Sequence, residues 1–213
     1  MGLSAEISNI RWKAILLVGP TGSGKTPLGQ LLEHEGLWGR QCLHFDFGEA
    51  LRAIASEPDG LLTESEFQVV EKVLNKGLLL ENENFPIAGK LLFDYLLKRK
   101  AAKDTLIVLN GLPRHIGQAQ AMEAVVDMQT VVSLECKPVI AWERIRANAG
   151  GDREGRADDA LEEVGQRIET FNKRTAPLLN YYSKLGVPVL PLDVEIKTTA
   201  HEIRLHLESI IRG

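Results

Sequence analysis

Cysteine is scarce in this chain of 213 residues: Cys42 and Cys136 are the only two, and they form neither a C-x-x-C pair nor a zinc-ligand spacing. That excludes a disulfide scaffold and leaves two reduced thiols in a cytoplasmic protein as the expectation. Long apolar runs are missing too. No stretch approaches the ~20 residues needed to cross a bilayer, and residues 1–11 lack the basic-then-apolar order of a secretory signal. There is no excess of basic residues either. The formal net charge is −4 and the pI is near 5.8, the opposite of the balance that long polyanions select. Neither nucleic acid nor an anionic membrane is therefore expected as a partner. Internal repeats and low-complexity tracts are also absent.

What is present is a 44% hydrophobic composition, enough for one well-buried core and short for two. Short apolar runs alternate with longer stretches of helical period. Strands are expected at 13–18 (KAILLV), 41–45, 105–109 (TLIVL), 131–136 (VVSLEC) and 187–190. Helices are expected at 26–35, 48–56, 63–76, 86–100, 117–126, 138–147, 158–185 and 198–211, with Thr63 and Glu66 spaced as a capping box. Continuous apolar strands separated by helices predict an α/β fold, a doubly wound five-stranded parallel sheet covered on both faces. Ligands of such sheets sit beyond the carboxyl ends of the strands, so the chemistry should come from the loops after Val18, Phe45, Leu109 and Cys136.

The first of those loops is the most informative. Gly19-Pro20-Thr21-Gly22-Ser23-Gly24-Lys25-Thr26 satisfies G-x-x-x-x-G-K-[ST] at every fixed position, between an apolar strand and a helix. The glycines let backbone N–H groups form a concave nest, and the helix N-terminus adds partial positive charge. Lys25 is placed to reach the β- and γ-phosphates of a nucleoside triphosphate, and the Thr26 hydroxyl to ligate Mg²⁺. Pro27 is compatible, because first-turn N–H groups have no intrahelical acceptor. The expected architecture is thus the P-loop nucleoside triphosphate hydrolase/kinase fold, with Mg²⁺ and ATP as cofactors.

Further along, Gly48-Glu49-Ala50-Leu51-Arg52 follows the second strand, and Asn110-Gly111-Leu112-Pro113-Arg114 with Gln118 follows the third. Glu143-Arg144, then Gly155-Arg156-Ala157-Asp158-Asp159, then Arg167 come after. In order and spacing these segments resemble the nucleoside monophosphate kinase family, with adenylate kinase the closest member, over residues 15–192. The resemblance implies transfer of a phosphoryl group from ATP to a nucleoside monophosphate, AMP foremost, with small nucleotides as partners in a monomer. It further implies that Phe47, Arg52, Gly111, Arg114 and Gln118 bind the acceptor, Gln118 reading its base. Pro20, Thr21, Gly22, Ser23, Gly24, Lys25, Thr26 and Arg144 then hold ATP, while Lys25, Arg114, Arg156 and Arg167 act on the transferring group. The domain is expected to comprise a core (11–47, 104–147 and 158–213), an acceptor-binding arm (48–77) and a short zinc-free lid (146–157). Elementary chemistry agrees, since transfer between two anions needs positioning and charge neutralisation more than a nucleophile. Planar guanidinium groups suit phosphate oxygens well.

Four positions depart from the family pattern. Asn110 stands where the family has an Asp that organises Mg²⁺, so Asp46 or Asn110 is left as the metal's outer-sphere group. Phe47 replaces a Thr, Asn148 replaces a second lid arginine for which Arg153 could substitute, and Thr26-Pro27 follows the loop lysine directly. These departures keep two alternatives open: a P-loop kinase of another small acceptor, and a nucleotide-binding sensor without efficient transfer. Asp158 and Asp159 read equally as metal-linked groups or helix caps. His201-Glu202 with His206 has the wrong spacing for a zinc helix. His44 and His115 flank the expected cleft as core or capping residues, and Trp12, Trp38 and Trp142 as packing residues.

Overall fold

A computed structural model of the chain describes residues 11–151 and 161–211. Arg153, Arg156, Asp158 and Asp159 lie outside the described residues. Five strands, β1 (Trp12–Val18), β2 (Cys42–Asp46), β3 (Leu106–Asn110), β4 (Val126–Glu135) and β5 (Val189–Asp193), form one all-parallel sheet in the order β2-β3-β1-β4-β5. Among the described residues the helices are α1 (Lys25–Glu35), α2 (Phe47–Ser56), α3 (Glu64–Asn75), α4 (Phe85–Lys98), α5 (Ile116–Met122), α6 (Pro138–Arg146), α7 (Leu161–Thr170), α8 (Pro177–Lys184) and α9 (Ala200–Ile211). This is the doubly wound parallel sheet that the alternation of apolar runs predicts.

β1 is apolar on both sides, because both faces are covered. Trp12, Ala14, Leu16 and Val18 point to one core shared with α2, α3, α4, α5 and α8, whereas Ile15 and Leu17 point to a second shared with α1 and α9. From β1 the chain runs outward to β2, returns to fill the gap with β3, and then crosses to β4 on the other side. The loop after β1 therefore sits at the topological switch point, where a crevice opens beyond the strand ends. Local sequence supports these elements at their starts. Asp46 caps α2 by accepting from the Glu49 N–H, and Thr63 with Glu66 forms the expected capping box on α3.

The largest departures from the expected boundaries are at β4, α5 and the helix expected over 158–185. β4 begins at Val126, five residues before the expected start at 131, and α5 stops at Met122. The extra residues pair with Trp12, Lys13 and Ala14, after which the register shifts between Ala14 and Ile15 and skips Gln129. That bulge breaks the alternation by which a strand is recognised in sequence. The helix expected over 158–185 is interrupted by a π turn at Phe171–Thr175, where the Ala176 N–H bonds to Phe171 O at 2.9 Å. Pro177, which starts α8, has no N–H to continue the α-helical ladder.

On β2, His44 lies beneath α1 in space that only glycine leaves free: a Cβ on Gly29 would stand 2.2 Å from the imidazole. Its Nε2 is buried without a hydrogen-bond partner among the described residues. Burial lowers the His44 pKa from its ordinary 6.5, outweighing the opposing pull of Asp46, Glu33 and Glu49. As pH falls through about 6.5, the unfolded chain takes up this proton first, so stability present above that pH is lost progressively below it. The midpoint of urea unfolding should accordingly drop between about pH 7 and about pH 5.5. The drop should be shallower in His44→Asn; equal slopes for the two proteins would rule out His44 as its source.

Candidate active site

The loop from Gly19 to Gly24 leaves the sheet at the end of β1 and turns directly into α1. Gly22 and Gly24 have φ of 83° and 93°, the left-handed region where a side chain is strained. A Cβ on Gly22 would also meet Ala141 O at 2.6 Å. Ser23 is fully buried beneath the turn, and Lys25 folds back over it. The Lys25 ammonium donates to Gly19 O and Pro20 O, both at 2.8 Å, and lies 3.5 Å from Ser23 Oγ. A cation thus stands over a nest of backbone N–H groups at a helix N-terminus, which is the arrangement that holds a chain of phosphates.

Beside Lys25, three side chains from three elements converge. Thr26 Oγ1 donates to Asp46 Oδ2 at 2.9 Å, and Asn110 Nδ2 donates to the same carboxylate oxygen at 2.7 Å and to Thr26 Oγ1 at 3.1 Å. Asp46 Oδ1 accepts from the Glu49 N–H at 3.0 Å. Thr26 and Asp46 offer hard oxygen donors of the kind magnesium takes, so the residues present fit that ion.

Arg144, on α6, is 5% exposed. Its Nε donates to Gly22 O at 3.1 Å, and its Nη1 serves Glu195 O, Ile196 O and Thr198 O at 2.8, 3.0 and 2.9 Å. The guanidinium therefore ties the phosphate loop to the turn between β5 and α9. Nη2 is left on the side of Gly24, 3.2 Å from where a Cβ would stand. Sequence reasoning identified Arg144 but missed the segment it clasps, because backbone carbonyls leave no mark in the residue types around them.

The loop opens on a cleft of about 710 Å³. Among the described residues, six cationic side chains line it (Lys25, Arg52, Lys76, Arg114, Arg144 and Arg167) against two carboxylates, Asp46 and Glu163. In a chain of net charge −4, that concentration of positive charge marks the place where an anion is received. Thr21, Gly22, Gly24, Thr26, Phe47, Gly111 and Gln118 also line the cleft. Phe47 is 4% exposed and packs on Phe45 with ring centroids 6.3 Å apart, so it floors the cleft instead of projecting into it. Gly111 turns the chain after β3 with φ of 78°.

Arg114 is half-buried, and burial lowers the pKa of its guanidinium, with Asp46 opposing the shift. Its backbone is held twice: the N–H donates to Gln118 Oε1 at 2.7 Å, and the carbonyl accepts from Thr175 Oγ1 at 2.9 Å. Gln118 is 1% exposed and also donates to Leu80 O at 2.8 Å, so its amide braces Arg114 against the segment between α3 and α4. His115 caps α5 through Nδ1 and contacts Leu80 O through Nε2, a positioning role consistent with its expected capping one. Thr175 was not singled out from sequence. It lies on the π turn, and nothing local connects it to a residue 61 positions earlier.

The adenylate kinase family model matches residues 17–187, which span the phosphate loop, the arginines of the cleft and the π turn. The chain belongs to the adenylate kinase family. It is 30% identical over 206 residues to an adenylate kinase of Synechococcus sp. (strain WH7803), covering 92% of this chain and 96% of that protein. An adenylate kinase of Prochlorococcus marinus (strain MIT 9211) is 28% identical over 198 residues, covering 89% and 94%. One from Stenotrophomonas maltophilia (strain R551-3) is 30% identical over 178 residues, covering 81% and 86%. As a member of this family the chain is a phosphotransferase with nucleotide substrates, a nucleoside monophosphate kinase of the P-loop class. Among the described residues no helix is long and apolar enough to cross a membrane.

Arg144→Ala would strip partners from four backbone carbonyls at once, at a cost of about 2–4 kcal/mol in unfolding free energy. Arg144→Lys should recover little, because one ammonium cannot reach both the loop and the β5–α9 turn. Denaturant unfolding of the three proteins measures both effects. A loss below about 0.5 kcal/mol in Arg144→Ala would mean that the clasp contributes nothing.

Proposed function

We propose that this chain transfers the γ-phosphoryl group of Mg-ATP to AMP, yielding two molecules of ADP. The observation that carries this reading is the pairing, in one cleft, of a phosphate loop with a half-buried arginine, Arg114. Arg114 has its backbone fixed by Gln118 and Thr175, while its guanidinium makes no hydrogen bond to a described residue. A half-buried cation held ready in this way has an anionic ligand as its natural partner.

In this reading the β- and γ-phosphates lie on the loop N–H groups, with Lys25 leaving its carbonyl acceptors for phosphate oxygens. Thr26 ligates the magnesium that accompanies ATP, and this ion supplies charge neutralisation at the phosphates. Arg144 Nη2 adds positive charge beside Gly24. Arg52 and Arg114 receive the acceptor phosphate, and Gly48, whose Cβ would stand 3.3 Å from an Arg52 guanidinium nitrogen, leaves that arginine its room. Arg167 lines the same cleft; Arg156, also assigned to the transferring group, lies outside the described residues. Gln118 retains one N–H and one lone pair for a base. The arm over 48–77 closes on the nucleotides and excludes water from the transfer, while residues 152–157 of the lid expected over 146–157 lie outside the described residues. We place this activity in a cytoplasmic monomer, a setting that two free thiols support.

The test is ADP formation from Mg-ATP with AMP, dAMP, CMP, UMP and GMP, each run with Lys25→Ala and Arg114→Ala beside the natural sequence. AMP should give the fastest turnover. Lys25→Ala should lower kcat by about 10²-fold or more, and Arg114→Ala should lower kcat/KM for the monophosphate by about 10²–10³-fold. ATP binding without phosphorylation of any monophosphate would defeat the proposal.

A further inference from the structure

The carboxylate bonded to Thr26 at the end of the phosphate loop does not come from β3, the strand beside β1. β3 pairs directly with β1, so its last residue is a strand-end neighbour of the loop, and that residue is Asn110. One strand further out, β2 ends in Asp46, in register with Asn110. The two side chains reach across the strand ends and meet at the Thr26 hydroxyl.

We propose that Asp46 is the carboxylate that secures magnesium at this loop, acting from the outer sphere through Thr26 and the ion's own water, with Asn110 as its positioning residue. This rests on the reading of the cleft as a Mg-ATP site. Magnesium keeps several of its waters and is held by one or two carboxylates together with substrate phosphates. Among the described residues no three His, Cys, Asp or Glu side chains gather into an all-protein cage. Thr26 donates its proton to Asp46 Oδ2 at 2.9 Å. That hydrogen bond points a lone pair of the hydroxyl away from the carboxylate and raises the oxygen's donor strength, as outer-sphere partners of metal ligands do. Asp46 is held in place from its other oxygen, which caps α2 through the Glu49 N–H at 3.0 Å.

Asn110 has two parts in this arrangement. Its amide donates to Asp46 Oδ2 at 2.7 Å, fixing the carboxylate without a second negative charge. It also donates to Thr26 Oγ1 at 3.1 Å, the oxygen the metal would use. A cation on that oxygen takes the place of the longer contact and leaves the shorter one intact. A carboxylate at 110 would instead face Asp46 across 2.7 Å, so the two positions are coupled: the site accommodates one carboxylate and one amide. The role of each follows from its partner, and exchanging them should preserve the function.

The experiment titrates Mg²⁺ calorimetrically into the protein saturated with a non-hydrolysable ATP analogue, and measures analogue binding without metal in parallel. Asp46→Asn retains a good helix cap, so its thermal unfolding should be close to that of the natural protein. Its Mg²⁺ affinity should fall by about 10–100-fold, with metal-free analogue binding unchanged. The double variant Asp46→Asn/Asn110→Asp should return to within about threefold of the natural affinity. An Mg²⁺ affinity in Asp46→Asn within about twofold of the natural value would overturn the assignment of Asp46. A double variant no better than Asp46→Asn would overturn the coupling. Failure of the natural protein to bind the analogue at all would remove the nucleotide reading and this one together, a result distinct from metal binding that ignores Asp46.

Discussion

A loop built to present its backbone N–H groups to phosphate must turn its carbonyls elsewhere, and those carbonyls need donors. Here two cations supply them. Lys25 takes Gly19 O and Pro20 O from within the loop, and Arg144 takes Gly22 O from α6 while gripping three carbonyls beyond β5. The second arrangement reaches much further, since it connects the first strand's exit to the last strand's exit through one planar group. Five N–H donors in a fixed fork make this feasible for arginine and out of reach for lysine. The rest of the site inherits its geometry from that anchorage: Thr26 begins where the loop ends, and Asp46 and Asn110 are positioned against Thr26.

The part of the cleft around Arg114 is organised by a different set of bonds. Arg114 is not locked through its guanidinium but through its peptide groups, by Gln118 on one side and Thr175 on the other. Its charge is thereby positioned without being neutralised. Six cations around one cleft in an acidic chain would repel each other if the space between them were dry, and substrate anions relieve that repulsion. The same charge distribution therefore favours anionic nucleotides and disfavours the empty cleft.

Much of this was readable in the residues themselves. The phosphate loop announces itself because its mechanism demands glycine, lysine and threonine at fixed spacing between a strand and a helix. The parallel sheet follows from short, continuously apolar runs. Thr63 and Glu66 form their capping box through contacts three residues apart. What could not be read depended on partners distant in sequence or on backbone atoms. Gln118 was legible as a cleft residue, but its bond to Leu80 O spans 38 positions and involves no side chain at the other end. β4 hid its first residues behind a bulge, and the break in the long C-terminal helix was visible only as Pro177, a residue equally at home in a first helical turn. Asn110 shows the limit most clearly. Its identity was plain, whereas its service to Asp46 needed the register between β2 and β3.

The π turn at Phe171–Thr175 sets the angular phase between two consecutive faces of one helix. One additional residue in a turn rotates everything beyond it by about 100° relative to an uninterrupted α-helix. Upstream of the turn, Arg167 faces the cleft; within it, Thr175 reaches Arg114 O; downstream, Leu178 and Tyr182 lie in the core. In an uninterrupted α-helix Arg167 and Leu178, eleven positions apart, would lie within about 20° of each other around the axis, and the π turn separates their directions. The turn thus works as a phase adjuster, and a chain shortened by one residue there would fold around the same core with Arg167 turned away from the cleft.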